Sequence, residues 1–358
     1  LNQENEMKLG LMLGYSGARM KLPVEMVQRA EALGFDSVWT AEAYGSDATS
    51  PLAYLAAVTK RIRLGTSIMQ LAGRAPTMAA MQAATIDELA GGNRFIAGLG
   101  VSGPQIVEGW YGQPWGKPYW RIRDYVTIMR KTFLREAPVS HEGREISLPY
   151  TGEGAMGIGK PLKSILHMNP NIPIWLGTGS EANVKLTAEI ADGWFPLTFV
   201  PGMMDLYRPW LDAGFARAGG GKSLKDFEIQ SSVAVTITDN VEAALQRMKP
   251  GIALYVGGMG HENKNFHNDM MVRRGYGDAA ARIQELFLSG RKDEAIAAVP
   301  DEYLDEGALI GPVERIRERY KAWEGSGVTG LTLSCNKPEG LELMADLAGC
   351  RDTISAVQ

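Results

Sequence analysis

Apolar runs alternate along the chain with polar loops and amphipathic segments in a repeating order: strand, loop, helix, glycine, next strand. Ala30-Glu31-Ala32-Leu33-Gly34 leads into Phe35-Asp36-Ser37-Val38-Trp39, and Asp87-Glu88-Leu89-Ala90-Gly91-Gly92 into Arg94-Phe95-Ile96-Ala97-Gly98. Glu189-Ile190-Ala191-Asp192-Gly193 precedes Trp194-Phe195, and Trp323-Glu324-Gly325-Ser326-Gly327 precedes Leu331-Thr332-Leu333. A glycine past a helix end supplies the left-handed cap, and short αβ loops bring the strand in at once. Ile122, Val126, Met129 and Phe133 share one helical face, as do Val313, Ile316, Tyr320 and Trp323. Leu9 to Leu13 and Ile172 to Leu176 are continuous apolar runs, the mark of strands covered on both faces.

Strands are predicted near 8–14, 35–41, 62–69, 94–100, 172–178, 193–197, 230–237 and 329–334. Eight βα units with both faces buried spell a (β/α)8 TIM barrel, a fold of roughly 250 residues. The remaining length is assigned to insertions near 136–171, with a hairpin at 141–148, and near 250–311, with a charged helix at about 278–298. Residues 7–350 read as one domain, with 1–6 set aside as a leader before Met7 and 351–358 as a tail. The competing architecture is a Rossmann domain, supported by Gly98-Leu99-Gly100-Val101-Ser102-Gly103 after a strand. That motif falls on the fourth strand rather than the first, Pro104 follows it, and no acidic residue ends a next strand at the required distance.

Composition narrows the class of function. Of 358 residues 45% are hydrophobic and 22% charged, enough for a large buried core. The formal net charge of -4 offers no basic excess for nucleic acid or an anionic membrane surface. No apolar run approaches the roughly 20 residues that span a bilayer. Two cysteines, Cys335 and Cys350, lie too close to the C-terminus to staple the chain, and a reducing cytoplasm is expected.

In a barrel the loops after the strands share one face, and that face carries function. The second strand ends in Thr40-Ala41-Glu42-Ala43-Tyr44, the third in Thr66-Ser67-Ile68-Met69-Gln70, the fourth in Gly100-Val101-Ser102-Gly103 and the fifth in Gly177-Thr178-Gly179-Ser180. Two glycines and then Ser180 as N-cap leave backbone N–H groups aimed at the mouth, an arrangement suited to a phosphate; an empty, serine-capped turn is the bland alternative. Trp110 to Trp120 holds five aromatics, a wall for a planar ligand or a satellite core under a long loop. Glu42 suits a hydrogen bond to a heterocycle or acid–base work, or else a salt bridge to Arg74 or Lys117 at the rim. Glu42, Tyr44 and Gln70 are the candidate catalytic side chains. His261, His267 and Asp269 lack metal-site spacing and read as loop residues.

Together these stretches resemble the bacterial luciferase-like superfamily, in particular its F420-dependent oxidoreductases. The resemblance rests on Phe35 to Glu42, Arg63 to Ile68, Gly98 to Gly103, Ile172 to Gly177 and Ala191-Asp192-Gly193. It implies a homodimeric barrel holding deazaflavin coenzyme F420, or alternatively FMN, across the strand ends, with a non-prolyl cis peptide at Ser67-Ile68. Glu42, Ser67, Ile68, Gln70, Gly100, Val101, Ser102, Gly177, Thr178, Gly179 and Ser180 are the cofactor contacts it implies. The family's sugar-phosphate dehydrogenases carry a histidine where this chain has Ala43 and a glutamate where it has Pro104-Gln105. A reductase of an activated C=C, C=N or C=O bond in a small molecule is therefore expected. An FMN-dependent monooxygenase is the alternative, and a non-catalytic flavin-binding barrel a third reading.

Overall fold

The computed structural model describes residues 7–259 and 265–350. Eight parallel strands close a barrel: β1 (Lys8–Gly14), β2 (Ser37–Thr40), β3 (Arg63–Thr66), β4 (Phe95–Gly100), β5 (Ile174–Thr178), β6 (Gly193–Pro196), β7 (Glu228–Ile237) and β8 (Gly330–Ser334). Pairing runs in chain order, and β8 returns to β1 from Lys8↔Gly330 to Leu11↔Leu333. Every strand begins within two residues of its predicted start. The third is broken after Thr66 and resumes at Met69–Gln70 to pair with Leu99 and Gly100. Helices follow the strands on the outside, and the predicted faces are buried: Ile122, Val126, Met129 and Phe133 on Pro118–Leu134, and Ile316, Tyr320 and Trp323 on Val313–Glu324.

Aromatic rings fill the barrel interior. Trp39, Trp175 and Phe195 pack with centroids 4.8–5.2 Å apart, joined by Ile96. Glycines on neighbouring strands make room for them. A Cβ on Gly65 would stand 2.0 Å from the Trp39 ring, and one on Gly193 would stand 2.5 Å from Trp175. The N-terminal end of the barrel is closed by charge, where Arg63 donates to Asp36 and Glu228 (2.6 and 2.8 Å) and Lys8 to Glu228 (2.9 Å). The G-x-G-x-x-G resemblance has a sheet explanation. Thr66 Oγ1 donates to the Gly98 carbonyl (2.7 Å) and accepts from the Gly98 N–H (2.9 Å). A Cβ on Gly98 would come within 1.7 Å of the Thr66 carbonyl oxygen.

In the first insertion the expected hairpin forms between His141–Glu142 and Ser147–Leu148. Asp124 anchors it by accepting from the N–H groups of Glu145 and Ile146. The second insertion is richer than expected. The helix Val241–Ala253 runs into a π-helical stretch, Leu254–Gly258, followed by the helices Phe266–Arg273, Gly277–Leu288, Lys292–Ala297 and Asp301–Asp305. The charged helix expected at 278–298 is thus two, because Gly290 takes a left-handed φ of 82° and breaks it. A further strand, Ala308–Gly311, pairs with the upper half of β7, and four apolar residues inside a helical region gave no sign of it. These elements carry a core of their own around Ala253, Met271, Ile283 and Leu286. Among the described residues no helix is long and apolar enough to cross a membrane. The leader 1–6, the tail 351–358 and His261 lie outside the described residues.

Candidate active site

The break in β3 shapes the barrel mouth. The Ser67-Ile68 peptide is cis, at the position expected from the resemblance, and Ser67 N–H donates to the Thr40 carbonyl at 2.6 Å. Ile68 lies against glycines of two other strands: a Cβ on Gly100 would meet it at 2.8 Å and one on Gly177 at 2.9 Å. The Ile68 side chain fills the space at both glycines, forming an apolar floor with them, and any side chain at either would displace it. Val101 and Ser102 continue the β4 end, with Ser102 held in the left-handed region at φ 67°.

Glu42 is placed differently from the expectation of a group facing substrate. Arg74 Nη1 and Nη2 donate to its two oxygens (2.7 and 2.9 Å), Gln70 N–H to Oε1 (2.6 Å) and Ala48 N–H to Oε2 (3.0 Å). Four donors thus meet the two oxygens of a side chain only 3% exposed. The ion pair to Arg74 set against the functional reading is the one that forms, though buried rather than exposed at the rim. Gln70 is occupied at one end of its amide, where Nε2 donates to the Glu42 carbonyl at 2.8 Å. Its Oε1 is buried with no donor among the described residues. Together the two residues lock the β2 end to the resumed third strand. Tyr44 is exposed, with its ring 6.4 Å from Trp110.

At the β5 end both glycines are closely packed, Gly177 by Ile68. Gly179 faces Leu197, whose Cβ would lie 3.0 Å from a Cβ built on it. Ser180 sits at the N-cap of Glu181–Ile190 but makes no side-chain cap bond, so its hydroxyl does not play the capping role expected. Thr178 turns outward, its hydroxyl 2.8 Å from that of Thr187, which leaves only its backbone for a ligand. Arg273, which the sequence reading missed, comes from the second insertion and donates to the Gly179 carbonyl at 2.9 Å. At 94 residues' distance, no local signal could have placed it there.

The aromatic stretch 110–120 divides. Trp110 stands near Tyr44, and the Tyr111 ring would lie 3.1 Å from a Cβ on Gly73. Tyr119 and Trp120 head the following helix and pack on each other, with Arg144 stacked 3.9 Å over Trp120, so they form the satellite core rather than a wall at the mouth. A second aromatic group comes from the π-helical stretch. Burial pushes the Tyr255 hydroxyl up to about 12, helped by its hydrogen bond with Tyr15 and by Tyr44 nearby. The His267 ring lies 4.7 Å from the Tyr255 ring, and burial pushes its pKa down to about 4.

Comparison with known proteins gives this geometry a family. The sequence model of the luciferase-like monooxygenases matches residues 7–330. A Mycobacterium tuberculosis protein named as a coenzyme F420-dependent oxidoreductase is 49% identical over 96% of this chain and 99% of its own. Among solved structures, the coenzyme F420-dependent tetrahydromethanopterin reductase of Methanopyrus kandleri superposes with a TM-score of 0.76 at 22% identity, covering 95% of this chain and 97% of its own. An F420-dependent secondary alcohol dehydrogenase, solved with an F420-acetone adduct, gives 0.73 at 16% identity, with 97% and 99% covered. The chain therefore belongs to the luciferase-like monooxygenase family, and it is an oxidoreductase of the group that includes the mycobacterial protein.

Proposed function

We propose that this enzyme transfers hydride between coenzyme F420 and a small organic substrate carrying an activated C=C, C=N or C=O bond. The observation that carries the reading is the Ile68 side chain seated against Gly100 and Gly177, an apolar surface at the strand ends. In this reading the tricyclic ring lies on that surface, with Ser67, Ile68, Gly100, Val101 and Ser102 beneath and beside it. The backbone N–H groups of Gly177 to Ser180, at the start of Glu181–Ile190, suit its phosphate, and Arg273 adds positive charge beside them. When bound, F420 supplies a carbon that gives or takes a hydride; the protein supplies position and exclusion of water. Likeness to the mycobacterial relative supports F420 over FMN.

Fluorescence titration with F420 and with FMN tests the reading, and tighter F420 binding is the expected result. Gly179→Val should abolish that binding, since its side chain would collide with Leu197 and crowd the phosphate; normal binding by this variant would move the site elsewhere. Oxidation of glucose 6-phosphate should be undetectable. Taking a hydroxyl proton requires a base, a contribution of about 10²–10⁴-fold in rate, and Ala43 stands where the dehydrogenases have histidine. In this reading residues 7–350 form one domain, and the enzyme works in the cytoplasm as a homodimer. Exposed Tyr54, Met78 and Met81 on two adjacent outer helices supply an apolar strip for that contact, and sedimentation equilibrium measures the mass.

A further inference from the structure

Between the ends of β6 and β7 and the inserted helices lies a cavity of 210 Å³. Leu197, in its wall, packs toward Gly179 on the other side and sets the cavity apart from the Ile68 surface. A compound held there does not meet a ring on that surface, so the cavity is a second site. Its volume equals about seven water molecules at roughly 30 Å³ each, room for a body on the order of ten non-hydrogen atoms. Ile252 and Met270 make much of the wall apolar, and Ser232, His267 and Arg274 bring polar groups to it.

Arg274 gives the cavity its chemistry. Its side chain is only 6% exposed, and Nη2 is in use, donating to the Tyr303 carbonyl (2.6 Å) and to Glu306 (2.9 Å). Nε is buried with no acceptor among the described residues. A buried N–H of a charged group is costly to leave unpaired, and such a donor marks a place where an acceptor belongs. The balance of charge agrees. Glu306 is 44% exposed in its side chain and also accepts from the Tyr276 hydroxyl at 2.5 Å, so its charge is shared with solvent and a second donor. The adjacent Arg273 makes no ion pair among the described residues, and its guanidinium donates to the Gly179 carbonyl. Two guanidiniums thus stand against one half-solvated carboxylate. We propose that this cavity binds a small monocarboxylate, its carboxylate at Arg274 and its apolar body against Ile252 and Met270, in a site separate from that of hydride transfer. Burial keeps the His267 imidazole neutral at pH 7, so it adds an N–H donor and no second charge. Arg274 is the single cation of the wall, and a second carboxylate on the ligand would lose its hydration without a counter-charge.

Saturation-transfer NMR on the full chain, with and without F420, compares benzoate with benzamide, which has nearly the same shape and no charge. Benzoate should bind saturably and about tenfold or more tightly than benzamide, whether or not F420 is present. Arg274→Met should abolish that preference. Ser232→Leu, which adds bulk to the cavity and leaves Arg274 with its partners, should weaken benzoate binding tenfold or more, and it decides the matter if the first variant folds poorly. Glu306→Gln removes the competing carboxylate and should tighten benzoate binding several-fold. Equal binding of benzoate and benzamide, or benzoate affinity that survives Ser232→Leu, overturns the proposal. Displacement of benzoate by F420 overturns it too, because the carboxylate would then occupy the cofactor's site. A protein that binds benzoate as expected and ignores F420 retains the cavity site and sinks the hydride-transfer reading.

Discussion

Arg74→Ala would leave the buried Glu42 carboxylate with only the N–H groups of Ala48 and Gln70 as donors. Removing one partner of a buried ion pair costs about 3–5 kcal/mol, and the urea midpoint of this variant should fall accordingly. Glu42→Gln should cost less, because the amide oxygen still accepts, and any loss of F420 affinity should accompany the loss of stability. A Glu42→Gln enzyme of normal stability and cofactor affinity that no longer turns over would show that the carboxylate acts on substrate after all. Glycines give a second contrast at this scale. Gly98→Ala drives a methyl into the Thr66 carbonyl and should prevent folding or cost about 3 kcal/mol or more. Gly14→Ala meets nothing within 4 Å and should cost about 1–2 kcal/mol, from its left-handed φ of 67° alone. Chemical denaturation of the two variants side by side measures the difference.

Elements contribute by carrying residues to places their own sequence does not announce. The helix Phe266–Arg273 carries Arg273 to the β5 end and His267 to the Tyr255 ring, and the π-helical stretch before it presents Tyr255 to both Tyr15 and His267. π-Helical stretches recur at functional sites because the wider turn redirects one side chain. Because the folded protein holds His267 neutral down to about pH 4, whereas an exposed histidine protonates near 6.5, the unfolded chain binds more protons between those values. Stability contributed by this element should be fully present above about pH 6.5 and decline as pH falls toward 4. His267→Gln should flatten that part of the profile in urea titrations at pH 7 and pH 5. An unchanged slope would mean that the imidazole is solvated.

For the whole molecule, closure of the barrel depends on charge at one end and on ring packing in the middle. Arg63 joins Asp36, just before β2, to Glu228 at the start of β7, across the barrel's N-terminal opening. Burial works to raise the Glu228 carboxyl, but the Arg63 guanidinium and Lys8 outweigh it and hold it below the usual carboxylate range. A depressed carboxyl stabilises the fold above its unfolded pKa of about 4.5, and that stability is lost as pH falls through the folded value. Arg63→Met should therefore lower the thermal midpoint at pH 7 and lose less than wild type on acidification below pH 4.5. Calorimetry at the two pH values measures both effects.

Strand order and barrel closure were legible in the sequence because they depend on local periodicity, and the position of the cis peptide followed from the family resemblance. Gly100 and Gly177 stood out at strand ends, but their contact with Ile68 was not visible. Nor was the state of Glu42, since a carboxylate's role depends on which donors reach it, and Arg74 lies 32 residues away. Helix packing decided that the Thr178 hydroxyl would meet that of Thr187 and that Ser180 would make no side-chain cap bond. Arg273 reaches the Gly179 carbonyl through the docking of an insertion with its own core. Pattern along the chain was enough to place the strand ends, because strands follow from local periodicity; which side chains stay unpaired beside them was settled by folding, because hydrogen bonds and desolvation depend on neighbours distant in the chain.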